Sequence, residues 1–533
     1  MPYLSTYADV FWEGCDHTND EDFIESVVFH ICAHVVRSRD IVVKHNSRLK
    51  RKLSEKRQSN AAASILDSEN NGNSKANKKK NKIKGSDFKD EIEISAAYHD
   101  QGFTRPKVLI LTPFRGSALK IVKAIKNCLG KTSTISQWEK FEEEFEGYDE
   151  DANEDADGAK SKPDDWNYIF KDQNVDDDFK FGLQINPGQG KGKGSDKGSY
   201  VRLYSDFFLS DVIIASPLGL RLVAENKMKY DYLSSLEMIL VHQADVLYMQ
   251  NWEHVCFMLS KCNRLPEHDS GTDFSRIRPY FLEENSKFHR QLIVMSAFND
   301  PKIQSFVREF GHSHAGNVRL KRNWKNGIIA NVSAKIRQTF CVIPTITSFA
   351  DDEDMRFEFF RDKMLNHLLK IEQKHTLIVT PSYLSFVRLR NELIKREADA
   401  VFISEYSRDS EISRGRSRFF QGHKSILLYS GRSHFFRRYM IRGALHVMFY
   451  SLPEYPQFYS EIVNLIGSGV SEELKHISGT SCTVLMSKCK LHRYLLICVL
   501  YVHLFICSFT TFMIFNYSHA SSRKYGSGAN CWN

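Results

Sequence analysis

The chain has 533 residues, with 73 Lys and Arg against 65 Asp and Glu, a net charge of +8, and 42% hydrophobic residues. This is ordinary globular composition, so a wholly disordered or collagen-like chain is excluded, and the length allows several domain-sized units. The 11 cysteines form no CxxC pair, and residues 1–14 have neither the basic start nor the apolar run of a secretory leader. A reducing compartment without a disulfide scaffold is therefore expected.

Residues 1–104 read as an N-terminal helical extension with a basic, disordered stretch. FIESVVFHICAHVVRSRDIVVK at 23–44 has the spacing of an amphipathic helix. Residues 50–84 are rich in Lys, Asn and Ser and too poor in large apolar groups to fold. The runs RLKRK at 48–52 and KANKKKNKIK at 75–84 read as nuclear or nucleolar addresses, as RNA-touching tails, or as a solvated linker.

An α/β pattern then begins. KVLIL at 107–111 leads through TPFRGS to a helix at 118–129. The acidic segment 139–178 reads as a mobile surface insertion. Apolar strands recur at 211–215 (DVIIA), 238–241 (MILV) and 291–295 (QLIVM), separated by helical stretches. A second series has strands at 376–380, 400–404, 425–429 and 446–450, with helices at 351–370 and 384–396. The fold class expected is α/β: two tandem RecA-like domains with mainly parallel sheets, at 105–330 and 331–490. Residues 491–533 form an apolar tail, in which the uncharged stretch 494–517 is long enough for a membrane helix.

Several isolated motifs fail on spacing. Gly130-Lys131-Thr132 ends like a phosphate loop, but Ile125 stands where its first glycine belongs and a helix precedes it, so Gly130 reads as a helix C-cap. The glycines and lysines at 188–195 fit no phosphate-loop register and read as a flexible loop. His30 and His34 are four apart, but Ile31 stands where a zinc protease has glutamate, so packing is expected. No metal site and no cofactor is expected.

The order of segments carries more. Each of four strands ends in a polar motif: Thr112-Pro113-Phe114-Arg115-Gly116, Ser216-Pro217-Leu218-Gly219, His242-Gln243-Ala244-Asp245 and Ser296-Ala297-Phe298. Ligands bind at such strand ends in open α/β sheets. The series resembles the DEAD-box RNA helicase core, with the degenerate DEAD position at His242, Gln243, Ala244 and Asp245. An active helicase needs a phosphate-loop lysine before Thr112, carboxylates at the first two DEAD positions and arginines near the second unit's end. The chain has no phosphate-loop motif before Thr112, His242 and Gln243 in place of the carboxylates, and Ile462 and Leu465 at the arginine-finger positions.

With these replacements, and with words such as HQADVLYMQNWEHV at 242–255 and SHFFRRYMIRGALHVMFYSLPEYPQFYSEIVN at 433–464, the chain resembles the U3 small nucleolar RNA-associated protein 25 family, also called digestive organ expansion factor. The resemblance implies a non-catalytic, nucleolar scaffold of the small-subunit processome. Such a scaffold would support 18S rRNA maturation through contacts with pre-ribosomal RNA, U3 snoRNA and processome proteins, without a small-molecule substrate. Candidate RNA-binding residues are Pro113, Phe114, Arg115, Arg432, Arg437, Arg438 and Arg442, where arginines could pair with phosphates and neighbouring aromatics could stack bases. The alternative for that cluster is a basic surface helix whose aromatics fill the core. The family's long acidic N-terminal region is missing and its charged C-terminal end is replaced by the apolar tail, which points to a truncated or alternatively spliced product. An active helicase with divergent motifs, or an adaptor anchored by 494–517, are the alternatives.

Overall fold

A computed structural model describes residues 2–69, 98–130, 134–147, 162–171, 173–186, 200–227, 230–268, 271–322, 328–333, 336–343, 351–370, 373–471, 475, 479–487 and 513–516. The chain divides into two compact units, Met1–Arg322 and Asn323–Asn533.

The first unit is built on a 9-stranded sheet in the order β3-β5-β4-β6-β2-β7-β8-β1-β9. Its strands are β1 (Asp9–Glu13), β2 (Val108–Leu111), β3 (Thr134–Ser136), β4 (Lys180–Asn186), β5 (Tyr200–Ser205), β6 (Val212–Ala215), β7 (Met238–Val241), β8 (Gln291–Ser296) and β9 (Asn317–Leu320). The central strands β2, β6, β7 and β8 are buried along their whole length. That is why they appear in the sequence as unbroken apolar runs. Side chains alternate between the faces. Val108, Ile110, Ile214 and Leu240 pack on one side against Ile24, Val27 and Ile31 of α1 (Asp20–Glu69) and Ile121 and Val122 of α2 (Arg115–Leu129). Leu109, Ile213, Val241 and Val294 pack on the other against Leu220, Leu247, Leu259 and Phe306.

Several expectations change here. Residues 1–104 are not an extension: β1 pairs in parallel with both β8 and β9, and α1 covers the sheet. A strand of five residues with an acidic residue at each end is too short to announce itself by composition. The helix expected at 23–44 runs from Asp20 to Glu69 and so takes in the 48–52 run; residues 70–97, with the run at 75–84, lie outside the described residues. The acidic segment is not wholly a surface excursion either. Phe141 and Phe145 of α3 (Trp138–Phe145) and Trp166 of α4 (Asp164–Phe170) are buried, while 148–161 lies outside the described residues. The hairpin strands β4 and β5 were not anticipated. β4 is antiparallel to both β5 and β6 in an otherwise parallel sheet. The loop at 188–195 between them lies outside the described residues.

The second unit holds a 7-stranded sheet, order β12-β13-β11-β14-β15-β10-β16. Its strands are β10 (Arg337–Val342), β11 (Thr376–Thr380), β12 (Ala400–Ile403), β13 (Ile426–Ser430), β14 (His446–Phe449), β15 (Ser481–Met486) and β16 (Met513–Asn516). All pair in parallel except β16, which runs antiparallel to β10. Apart from those four residues, the stretch 494–517 lies outside the described residues. Among the described residues no helix is long and apolar enough to cross a membrane.

Candidate functional site: a filled strand-end site

The four polar motifs of the first unit do converge. Thr112, Ser216, His242 and Ser296 follow or end β2, β6, β7 and β8 on one edge of the sheet. Side chains stitch the motifs together. Thr112 Oγ1 lies 3.3 Å from His242 Nδ1, Ser117 Oγ donates to Gln243 Oε1 at 2.9 Å, and Asp245 Oδ1 accepts the Ala297 N–H at 3.1 Å. Gln243 holds a left-handed backbone conformation, φ 50° and ψ 53°, as it leads into α6 (Ala244–Met249).

The same edge receives a fifth segment. After β1 the chain makes a short loop from Gly14 to Asn19 and opens α1, with the Gly14 and Cys15 N–H groups donating to Ser296 O at 2.8 and 2.9 Å. Strand, glycine-bearing loop and helix N-terminus are the setting of a phosphate loop. The contents are reversed. No lysine stands there, and the first turn of α1 carries Asp20, Glu21 and Asp22. A helix N-terminus attracts anions, and here the chain supplies its own.

Asp20 is the centre of this arrangement. It is 2% exposed. Its carboxylate is held by His242 Nε2 at 3.0 Å, Cys15 Sγ at 3.2 Å, Tyr168 Oη at 2.9 Å and Gln243 Nε2 at 3.4 Å. Burial pushes the carboxyl up, but the charge and hydrogen bond of His242, with the Cys15 and Tyr168 hydrogen bonds, outweigh it and lower it to about 2. Burial and the neighbouring Asp20 push the Cys15 thiol and the Tyr168 phenol up, so both stay protonated and donate. Lys120 of α2 lies 3.5 Å from the Tyr168 ring centroid, and burial lowers its pKa against the pull of Asp20 and Glu21. A phosphate brought here would meet a buried carboxylate where a cation is needed.

Neighbouring candidates are engaged in the same packing. Phe114 is buried, and Pro113 O accepts from Gln250 Nε2 at 3.4 Å. Arg115 Nε lies 2.9 Å from Asp176 Oδ2, its Nη2 donates to Asp178 O at 3.0 Å, and its guanidinium sits over the Phe145 ring. Arg115 thereby clamps the acidic segment beside the site. Gly219, in α5 (Pro217–Lys227), lets that helix approach β4: a Cβ there would lie 2.5 Å from Phe179 O and 2.8 Å from Phe179 N. Backbone cannot swing aside as a side chain can. Gly219→Ala is therefore expected to cost about 1–3 kcal/mol, read as a fall in the urea midpoint; an unchanged midpoint contradicts the close approach.

In the second unit, the helices at 351–370 and 384–396 are found, the first with a π turn at Phe360–Leu365, the second as α7 (Tyr383–Lys395). The arginine cluster divides. Arg432 Nε lies 3.5 Å from Glu405, and buried Arg438 pairs with Glu461 at 2.9 Å over the Phe458 ring. Phe435 is in the core, as the alternative reading had it. Arg437 and Arg442 are exposed. Arg416 of α8 (Asp409–Phe420) donates to Met440 O at 3.1 Å and so places α8 beside that exposed segment. Ile462, which the resemblance sets at an arginine-finger position, is buried. His30 and His34 pack as expected, 2.9 Å from Gln291 Oε1 and 2.8 Å from Glu237 Oε2. Gly130 closes α2 with φ 91°.

The residue that sequence reading missed is Asp20, which lies 222 positions from its partner His242. The available signal was the segment order: a helicase-like series has a strand, loop and helix before Thr112, and β1, the loop Gly14–Asn19 and α1 stand in that place.

Two family descriptions match in tandem, "UTP25, NTP hydrolase-like domain" over residues 7–318 and "Utp25, C-terminal domain" over 328–498. U3 small nucleolar RNA-associated protein 25 homolog from Homo sapiens is 38% identical over 400 residues, 73% of this chain and 50% of that protein. The Schizosaccharomyces pombe protein of that name is 33% identical over 489 residues, 91% of this chain and 66% of that protein. The Sclerotinia sclerotiorum one is 35% identical over 472 residues, 87% and 57%. The chain thus spans about half to two thirds of the length of these relatives. A solved DEAD box protein from Methanococcus jannaschii is similar at 14% identity and a TM-score of 0.23, over 76% of this chain and 81% of that one. The α/β assignment rests on the sheet topology and the family match.

Proposed function

The chain belongs to the U3 small nucleolar RNA-associated protein 25 family, and on that premise we propose that it is a non-catalytic, helicase-like scaffold of the small-subunit processome. It acts in the nucleolus, supports maturation of 18S rRNA, and binds pre-ribosomal RNA together with U3 snoRNA-associated proteins. The observation that carries the non-catalytic reading is the Asp20–His242 pair, 3.0 Å apart and buried at the strand ends. Phosphoryl transfer needs a cationic cradle and a metal-holding carboxylate there; this chain has a carboxylate in the cradle and an imidazole in the carboxylate's place. In the second unit the RNA contact narrows to exposed Arg437 and Arg442 beside α8: Arg437 makes a long, exposed pair with Asp409 of that helix at 3.9 Å, whereas Arg432 and Arg438 are less exposed and turned to Glu405 and Glu461.

Millimolar ATP with Mg²⁺ is expected to leave the melting temperature unchanged. A nucleotide present at about 100 times its Kd would add about 2.7 kcal/mol, a rise of several degrees. A saturable rise of that size means that the strand ends admit a nucleotide, and an RNA-stimulated ATPase rate that disappears on changing His242 or Asp245 overturns the non-catalytic reading. Crosslinking of the tagged chain to pre-ribosomal RNA tests the scaffold reading; recovery without such RNA removes it.

A further inference from the structure

Helix α1 is longer than the sheet it covers. Ile24, Val27, Val28, Ile31 and Val35 of its first half are core. Its contacts with the rest of the unit then continue in chain order. Arg39 lies 3.6 Å from Asp211, His45 Nδ1 lies 2.9 Å from Asp100, Asn46 Oδ1 accepts from Arg276 at 2.6 Å, and Lys52 Nζ stands 5.5 Å from the Tyr98 ring. The helix goes on to Glu69, roughly 25 Å further at ~1.5 Å per residue.

Where the core contacts end, a charged stripe begins. Lys44, Arg48, Arg51 and Lys52 are exposed and stand at i, i+4, i+7 and i+8, the spacing of one helical face. Half-buried Leu49 and Leu53 point to the other side, and Lys50 adds a further exposed cation. The one acid among residues 41–55 is Glu55, 3.5 Å from Arg51, whose side chain is still 72% exposed. The sequence reading took this run for part of a disordered stretch; in a helix the charges are held in a line.

We propose that this face of α1 binds double-stranded RNA along its phosphate ridges, a deepening that rests on the RNA-binding reading above. A row of four cations within ~12 Å of helix axis, at ~1.5 Å per residue, suits a rigid polyanion whose charges also run in rows. Single strands are held by aromatic platforms as well as charge; α1 has no Phe, Tyr or Trp between residues 41 and 69, and the one ring beside the stripe, half-buried Tyr98, is packed against His45 with Lys52 over it. Paired RNA is recognised by shape and by phosphate and 2′-hydroxyl contacts without stacking. The stripe is therefore fitted to duplex, independent of sequence.

The test compares the full chain with a Lys44→Gln, Arg48→Gln, Arg51→Gln, Lys52→Gln variant. Glutamine is a good helix former, so the melting temperature should hold. Fluorescence anisotropy is read with a fully paired 20-base-pair RNA and with an unstructured single strand, at several salt concentrations. Expected are a loss of at least ~10-fold in duplex affinity and a shallower log–log salt dependence, by about two to three, with single-strand binding within twofold. Duplex affinity within twofold of the parent overturns the proposal. So does a variant that keeps duplex binding but no longer enters the nucleus, which makes the stripe a transport address. A parent chain that binds RNA while the variant is unaffected removes the stripe alone; a parent that binds no RNA removes the scaffold reading itself.

Discussion

Replacing Glu237 with alanine is expected to lower the melting temperature of the first unit by about 10 °C, at ~2–4 °C per kcal/mol. Glu237 precedes β7 at the sheet edge opposite the filled site, with its side chain 8% exposed. Two cations and an imidazole converge on it: Lys107 Nζ at 2.6 Å, Arg278 Nη1 at 2.8 Å and His34 Nε2 at 2.8 Å. Burial raises its carboxyl, but the Lys107 charge, the His34 hydrogen bond and the Arg278 charge outweigh burial and hold it far below the usual range. The alanine variant leaves Lys107, itself 8% exposed, in apolar surroundings against the Phe281 ring. Breaking a buried pair from one side costs about 3–5 kcal/mol, against at most ~1 kcal/mol for an exposed pair. Glu237→Gln keeps the shape and an acceptor but not the charge, and should fall between. Because this carboxyl's folded pKa is depressed, its contribution is present above the ordinary carboxylate range and is lost as pH falls toward the folded value. A denaturation midpoint showing a loss below about 1 kcal/mol for the alanine variant would refute the convergence of charge.

These contacts mark where sequence reading stops. β2, β6, β7 and β8 were legible because strands buried on both faces must be apolar throughout. The motifs at their ends were legible because their order is preserved. β1 was not: it has two acidic ends, and buried Asp9 is tolerated only because the Leu292 and Ser313 N–H groups donate to it at 2.6 and 2.8 Å. β5 carries the alternation in YVRLYS, a strand pattern masked by the glycine- and lysine-rich loop beside it. For the arginines, residue type gave charge but not direction. Arg438 and Arg437 are neighbours in sequence, yet one is buried on Glu461 and the other exposed. The decisive partners, Glu461, Glu405 and Asp20, are set by tertiary folding and leave no local signature.

His242→Ala should remove Asp20's share of the rise in stability between pH 2 and 4 and add a fall between pH 4 and 6. In the parent, Asp20 is lowered to about 2 although burial opposes it. With an unfolded value of ~3.9, the depressed carboxyl contributes about 2 kcal/mol above pH ~4, lost as pH falls toward 2. Parent stability therefore rises between pH 2 and 4. Removing His242 takes away the group that most strongly favours the carboxylate, leaving Cys15, Tyr168 and Gln243 as donors at a site 2% exposed. Burial then prevails and the folded pKa moves above the unfolded one. A raised carboxyl contributes its stability below the unfolded value and loses it as pH climbs through the folded value, so the variant's stability falls between pH 4 and 6. At neutral pH the uncompensated charge should cost about 3–5 kcal/mol. Asp20→Asn added to His242→Ala removes the charge and should recover part of that loss and flatten the slope. Urea midpoints from pH 3 to 7 decide it: parallel curves for parent and His242→Ala mean that the imidazole does not hold the Asp20 carboxylate. The strand-end site would then be filled by shape alone, and the case against a bound triphosphate would lose its electrostatic half.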